Sequence, residues 1–238
     1  MPIALNHKRE HRLCNVSECL VSEKGSLLAC MEMTGRVRQW ELHENCAVDP
    51  DVFGDEVVAI VGSGAVSLEW ALADGRRQVV GFLFRGDILT PIEGGPAVRI
   101  MGLSDGVLYL VDADVVTNCR SRHTDGRDWR TALIGARFAE ATSHALMLGQ
   151  MTASERVVSF LLGLTERIGE HKNGMIHLNL PMSREHIADH LGLKPENVSR
   201  QFTELRRRGI IRLPKPGRVE IADIVGLDAL SPLESAVA

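Results

Sequence analysis

The stretch from Ser183 to Ile221 constrains the fold more than any other part of the chain. Ser183 is a good N-cap for a helix running from Arg184 to Leu191, because its hydroxyl can accept from an otherwise unpaired N–H of the first turn. Gly192 supplies a left-handed stop, and Leu193 plugs the corner that follows. Pro195 suits the first turn of a second helix, where its missing N–H would have no partner anyway. That helix spans about Glu196 to Arg208, with Val198, Phe202 and Leu205 facing inward and Gly209 ending it. Ile210 to Leu213 and Arg218 to Ile221 read as two short strands around Lys215, Pro216 and Gly217. Helix, glycine turn, helix and small wing make a winged helix-turn-helix.

Charge agrees with that motif. Between Leu178 and Arg218 nine Lys or Arg face four Asp or Glu, leaving the stretch at +5; in a chain of net charge −4, the remainder carries −9. A basic unit on an acidic body is the footprint of a nucleic-acid-binding domain joined to something else. The second helix turns Glu196, Asn197, Ser199, Arg200 and Thr203 outward. Arginine pairs in bidentate fashion with guanine and Glu accepts from cytosine, so Glu196, Ser199 and Arg200 are the candidate base-reading residues. Ser183, Arg206, Arg207, Arg208 and Lys215 are candidates for the phosphate backbone. As a bare surface pair, Glu196 and Arg200 would contribute only about 0.3–0.5 kcal/mol.

The middle of the chain has two different periods. From about Asp55 to Asp112 it is strand-like: Val66, Leu68, Trp70 and Leu72 alternate with Ala65, Ser67, Glu69 and Ala71. Asp74-Gly75 marks a hairpin, with a return strand from Gln78 to Phe84. Gly62-Ser63-Gly64, Gly86-Asp87, Gly94-Gly95-Pro96 and Asp105-Gly106 read as turns, with Val107 to Val111 as a further strand. From about Asp128 to Gly169 the period is helical. Trp129, Ala132, Leu133, Ala136 and Ala139 form one stripe, whose small residues would let a partner backbone approach closely. A second helix opens on the capping box Thr152 to Glu155 and carries Val157, Phe160, Leu161, Leu164 and Ile168 on one face.

Several functions find no support. No P-loop, dinucleotide fingerprint, zinc-protease helix or nucleophile elbow occurs, so no enzyme is expected. No run of 18 apolar residues exists, and the charged Met1 to Arg12 precedes no apolar stretch, so a cytoplasmic protein without a signal peptide or membrane partner is expected.

The residues from Leu180 to Ile211, LPMSREHIADHLGLKPENVSRQFTELRRRGII, resemble the CRP/FNR family of transcription regulators, in its FNR and FixK branches. The Glu-x-x-Ser-Arg signature of those branches stands here as Glu196, Ser199 and Arg200. DGRRQVVGFLFRGDI resembles the late strands of the family's effector roll, and TASERVVSFLLGLTERIG resembles the helix before its DNA-binding domain. The resemblance implies an α+β chain with an N-terminal β-roll of the jelly-roll, cyclic-nucleotide-binding-like kind. A long central dimerisation helix and a C-terminal winged helix-turn-helix follow. The expected division is an irregular arm and early strands over 1–50, the roll over 51–125, the dimerisation and connecting helices over 126–170, and the DNA-binding domain over 171–238. The implied partners are double-stranded DNA, a second copy and RNA polymerase. The implied operator is a TTGAT-N4-ATCAA-like palindrome near genes for low oxygen, nitrogen oxides or nitrogen fixation.

Two departures bear on the signal. The family's cAMP-binding members carry Gly-Glu and a later Arg-Ser or Arg-Thr. This chain has GDILTPIEGGPAVRIMG, with Pro91 and Pro96 in the way, which argues against the alternative of a cyclic-nucleotide-responsive regulator. The FNR iron–sulfur site uses three closely spaced cysteines and a later fourth. Here Cys14, Cys19 and Cys30 have a wider spacing, and Tyr109 stands near the place of the fourth ligand. Cys14, Cys19, Cys30 and Cys46, with His7 and His11 near them, remain candidates for redox chemistry or a metal of unassigned identity. The competing reading makes Cys30 and Cys46 small buried apolar residues, Cys14 and Cys19 solvated or redox-active thiols, and Cys119 a loop thiol without a role. Oxygen or redox sensing by the N-terminal segment and constitutive DNA binding are both open at this level.

Overall fold

The computed structural model describes residues 37–49, 57–89, 98–114 and 129–233. Cys14, Cys19, Cys30, Cys119, His7, His11, Pro91, Pro96 and the Gly94-Gly95-Pro96 turn lie outside the described residues, as do the side chains of Trp129 and Ala132.

Six strands form the first unit: β1 (Val37–Leu42), β2 (Ala47–Val48), β3 (Val57–Ala71), β4 (Arg77–Leu83), β5 (Ile88–Leu89) and β6 (Val98–Asp112). They form one antiparallel sheet in the order β1-β6-β3-β4, with β2 on β6 and β5 on β3. The interior holds Leu42, Ala59, Val61, Val66, Leu68, Leu83, Ile100, Leu108 and Leu110. The expected β-roll is thus present, but two expected turns are not. Gly62-Ser63-Gly64 lies within β3, and Asp105-Gly106 lies within β6. The two strands shift register there, between Val61 and Val66. Gly64 takes φ +77°, and a Cβ on Gly106 would lie 2.2 Å from the Ser63 carbonyl oxygen. The glycines therefore allow two backbones to meet at a bulge rather than reverse the chain.

That bulge also explains why strict alternation fails. Before it, odd residues Ala59 and Val61 face the interior; after it, even residues Val66 and Leu68 do. Ala65, Ser67 and Glu69 are buried as well, because the outer face of the sheet is covered in its turn. Trp70 and Leu72 run past the core and stay exposed. The Asp74-Gly75 hairpin forms as a wider loop, closed where Leu72 N–H donates to Arg76 O at 2.7 Å.

Helix α1 (Trp129–Gln150) leads into α2 (Ala153–Ile168), whose Thr152 and Glu155 make the reciprocal capping box. Strands β7 (Glu170–Lys172) and β8 (Met175–Asn179) follow, then α3 (Arg184–Leu191), α4 (Pro195–Arg207), β9 (Ile211–Lys215), β10 (Arg218–Ile221) and α5 (Ile224–Asp228). A second sheet runs β7-β8-β10-β9. Its β7–β8 hairpin went unread in the sequence although Asn173-Gly174, at φ 51° and 73°, is the two-residue turn signature. The core of this second unit is continuous with the outer face of the roll. Val79, Phe82, Phe84 and Leu103 pack in one cluster with Val157, Leu161, Ile187, Leu191 and Phe202.

Candidate nucleic-acid interface

Helix α3 starts on Ser183, whose Oγ accepts from His186 N–H at 3.2 Å. It stops on Gly192 in the left-handed conformation, φ 61°. Pro195 opens α4 after Lys194, which makes no side-chain cap. Val198, Phe202 and Leu205 are buried on the inner face of α4. With that face fixed in the core, Glu196, Ser199, Arg200, Thr203 and Arg206 are left exposed on the outside. The three residues of the expected base-reading signature thus share an open surface on one helix.

Local pairing on this surface differs from a simple Glu–Arg ladder. Arg200 Nη2 donates to Asn197 Oδ1, and no ion pair joins Arg200 to Glu196 among the described residues. Thr203 Oγ1 donates to the Ser199 carbonyl at 2.9 Å, which leaves the Ser199 side chain free of that bond. At the helix end, Arg207 grips Glu204 through Nε at 2.9 Å and Nη2 at 2.8 Å. The hydrogen bond from Arg207 holds the Glu204 carboxyl below its ordinary range and raises the guanidinium in turn. Arg206, Arg208 and Lys215 are exposed and make no ion pair among the described residues. The proposed phosphate contacts therefore differ: Arg207 must exchange a partner, whereas the other three cations are already open.

Sequence reasoning missed Arg184. Its guanidinium carbon lies 3.5 Å from the centroid of the Phe202 ring, and burial lowers its pKa from the ordinary value. Phe202 anchors α4 from below while Arg184 stacks on it, so one aromatic ring couples a cation at the start of α3 to α4. The signal in the sequence was an arginine directly after an N-cap serine.

The wing is braced by His177, which is buried with its Nδ1 3.3 Å from Glu220 Oε1. Gly217, at φ +72°, turns the hairpin, and its carbonyl accepts from Leu180 N–H at 2.7 Å. The hairpin that carries Lys215 is thereby tied to β8 and to the segment before α3.

Of the candidate thiols, Cys46 is described; it is exposed and free, contrary to the reading that buried it. It follows a loop at His43 to Asn45 rather than filling the roll interior. Among the described residues no three His, Cys, Asp or Glu side chains come together to hold a metal ion. No helix of the described residues is long and apolar enough to cross a membrane.

Comparison with known proteins places this architecture. Residues 155–230 match the family described as Crp-like helix-turn-helix domain. The nitrogen fixation regulation protein FixK of Azorhizobium caulinodans is 36% identical over 195 residues, which cover 74% of each chain. The transcriptional activator protein FnrL of Cereibacter sphaeroides is 34% identical over 191 residues, 73% of each chain. The structure of FixK2 from Bradyrhizobium japonicum superposes with a TM-score of 0.68 at 28% identity, covering 84% of this chain and 99% of that one.

Proposed function

Because the chain belongs to the CRP/FNR family, in its FixK-like branch, we propose that this DNA-binding transcription regulator reads a TTGAT-N4-ATCAA-like palindrome as a two-fold dimer. It acts as a transcription activator, not as an enzyme. The observation that carries the reading is the outer face of α4. Glu196, Ser199 and Arg200 stand exposed there on a helix whose other face is locked into the core by Val198, Phe202 and Leu205. Arg200 reads a guanine of each half-site, Glu196 accepts from a cytosine amine, and Ser199 completes the contact. Ser183, Arg206, Arg207, Arg208 and Lys215, joined by the stacked Arg184, hold the phosphates on either side.

The dimer forms through α1. Ile134, Phe138 and Leu146 are 59%, 74% and 50% exposed on this helix in the single chain. Apolar side chains left open in this way support association with a second copy. Two heads on a two-fold axis then meet half-sites about one helical turn, roughly 34 Å, apart. In this reading 1–50 form an arm with early strands, 51–125 the effector roll, 126–170 the dimerisation and connecting helices, and 171–238 the reader. RNA polymerase is the further partner, and the regulated genes serve low-oxygen, nitrogen-oxide or nitrogen-fixation metabolism, the last of which is the role printed in the names of the FixK relatives.

Selection of bound duplexes from a random-sequence pool tests this reading. The full chain should recover two inverted half-sites with a fixed spacer. Recovery of no common sequence, or of a single unrepeated half-site, would overturn it.

A further inference from the structure

The reader is stitched to the sheet edge along β4 by side chains that DNA reading does not use. Arg77 Nε donates to Asp189 Oδ2 at 2.6 Å, joining the start of β4 to α3. Beside them Glu69 is buried, accepting from Ser67 Oγ at 2.8 Å and lying 3.7 Å from His186 Nε2. Past the end of β4, Arg167 of α2 meets Asp87 at 2.5 Å and lies over the Phe84 ring.

The middle of this seam is His190. Its Nδ1–H donates to the Val79 carbonyl at 3.0 Å, and its ring stacks on His144 of α1 at 4.3 Å between centroids, 10° from parallel. Phe82 and Phe160 tilt against the same ring at 5.0 and 5.6 Å. The last carbonyls of a helix have no partners within it. Here the His190 carbonyl takes Gln78 Nε2–H at 3.1 Å and His144 Nε2–H at 2.7 Å, and the Leu191 carbonyl takes Arg156 Nη1–H at 2.9 Å. The C-terminus of α3 is thus capped by donors from β4, α1 and α2 together.

We propose that this seam is a proton-linked latch: α3 lies against β4 only while the His190 ring is neutral, so docking of the DNA-reading head on the roll weakens as protons are supplied. The geometry demands neutrality. A charged ring would lie among Phe82, Phe160 and Val79, stacked on His144 of α1 and near Arg167 and Arg156 of α2. The other charged and titratable groups at the seam are Glu69 on β3, Arg77 on β4, Asp87 after β4, and Glu185, His186 and Asp189 on α3 itself. Burial first, and then His144, hold the His190 pKa down to about 4 in the docked state. Burial also lowers His186, which adds to the effect in the same direction.

The sign follows from the depressed value. The stabilisation of docking is fully present above the ordinary histidine pKa and is lost as pH falls toward that of the docked ring. Between pH 7.5 and 5.5 the undocked fraction should rise about tenfold from His190 alone, for an undocked ring near 6.5. This inference is independent of which DNA sequence the head reads.

Distances between spin-labelled non-natural residues at exposed Arg38 on β1 and Arg212 on β9 test it in the full chain. The wild-type population at long distance should grow about tenfold between pH 7.5 and 5.5. His190→Gln keeps a donor for Val79 but cannot titrate there, and should show a rise below about threefold. Equal rises in both proteins would overturn the latch. Nitrogen-15 spectra of the wild-type imidazoles serve as the second measurement, and they decide if no open population is seen or if the variant does not fold. A His190 ring still neutral at pH 5.5 in the docked chain supports the coupling, whereas one titrating near 6.5 with the head still docked overturns it.

Discussion

The Arg200 guanidinium donates to the Asn197 amide oxygen one helical turn earlier, and not to the Glu196 carboxylate beside it. The side chain that we assign to guanine is therefore held by a neutral acceptor, which costs less to exchange for a base than an ion pair would. Arg200→Ala should weaken binding to the palindrome by about 1–3 kcal/mol per lost bidentate contact and relax selection at that base pair. Asn197→Ala should have a smaller effect on affinity and leave the selected base unchanged. Fluorescence anisotropy across a set of single-base variants checks both.

The surface of α1 sets the second expectation. Phe138 and Ile134 lie one turn apart, and Ala136, on the small-residue stripe read from the sequence, lies about 160° around the helix from Phe138. Phe138→Glu should therefore place a charge in the proposed dimer contact and shift the chain to monomer at micromolar concentration, by several kcal/mol. Ala136→Glu should do so less. Light scattering of the two variants distinguishes this face from the one that the small residues suggested.

Two glycines should respond in opposite directions. Gly106→Ala drives a Cβ into the Ser63 backbone at the bulge and should lower stability by about 1–3 kcal/mol. Gly163 sits in the interior of α2, and a Cβ there would meet nothing within 4 Å beyond its own stretch of helix. Gly163→Ala should raise stability by about 0.5–1 kcal/mol, since alanine removes backbone freedom from the unfolded chain at a position that it can adopt. Urea midpoints at constant m-value check the pair.

Much of the fold was legible because local chemistry and tertiary packing agree in its C-terminal third. Ser183, Gly192 and Pro195 each perform the local task their residue type suggests, and the periodic residues Val198, Phe202 and Leu205 are the ones buried. The resemblance to the CRP/FNR family pointed the same way. The roll was less legible, because glycine has two uses. Gly62-Ser63-Gly64 and Asp105-Gly106 carry the composition of turns, but each glycine serves close approach across a strand pair. The parity change at that bulge is invisible to a period-two reading. The seam at His190 was not legible at all, since its partners lie 46 and 111 residues away on α1 and β4. A histidine in the last turn of a helix reads as an ordinary C-terminal cation until the surrounding apolar rings are known.

The most direct test of the account is the affinity of the full chain for a TTGAT-N4-ATCAA duplex against the same duplex with both half-sites scrambled. Both are measured at about 0.15 M salt, where non-specific phosphate binding is weak. The exposed signature of Glu196, Ser199 and Arg200 predicts at least about a thousandfold preference for the palindrome, with two chains bound per duplex. Equal affinity for the two duplexes would contradict sequence reading by α4.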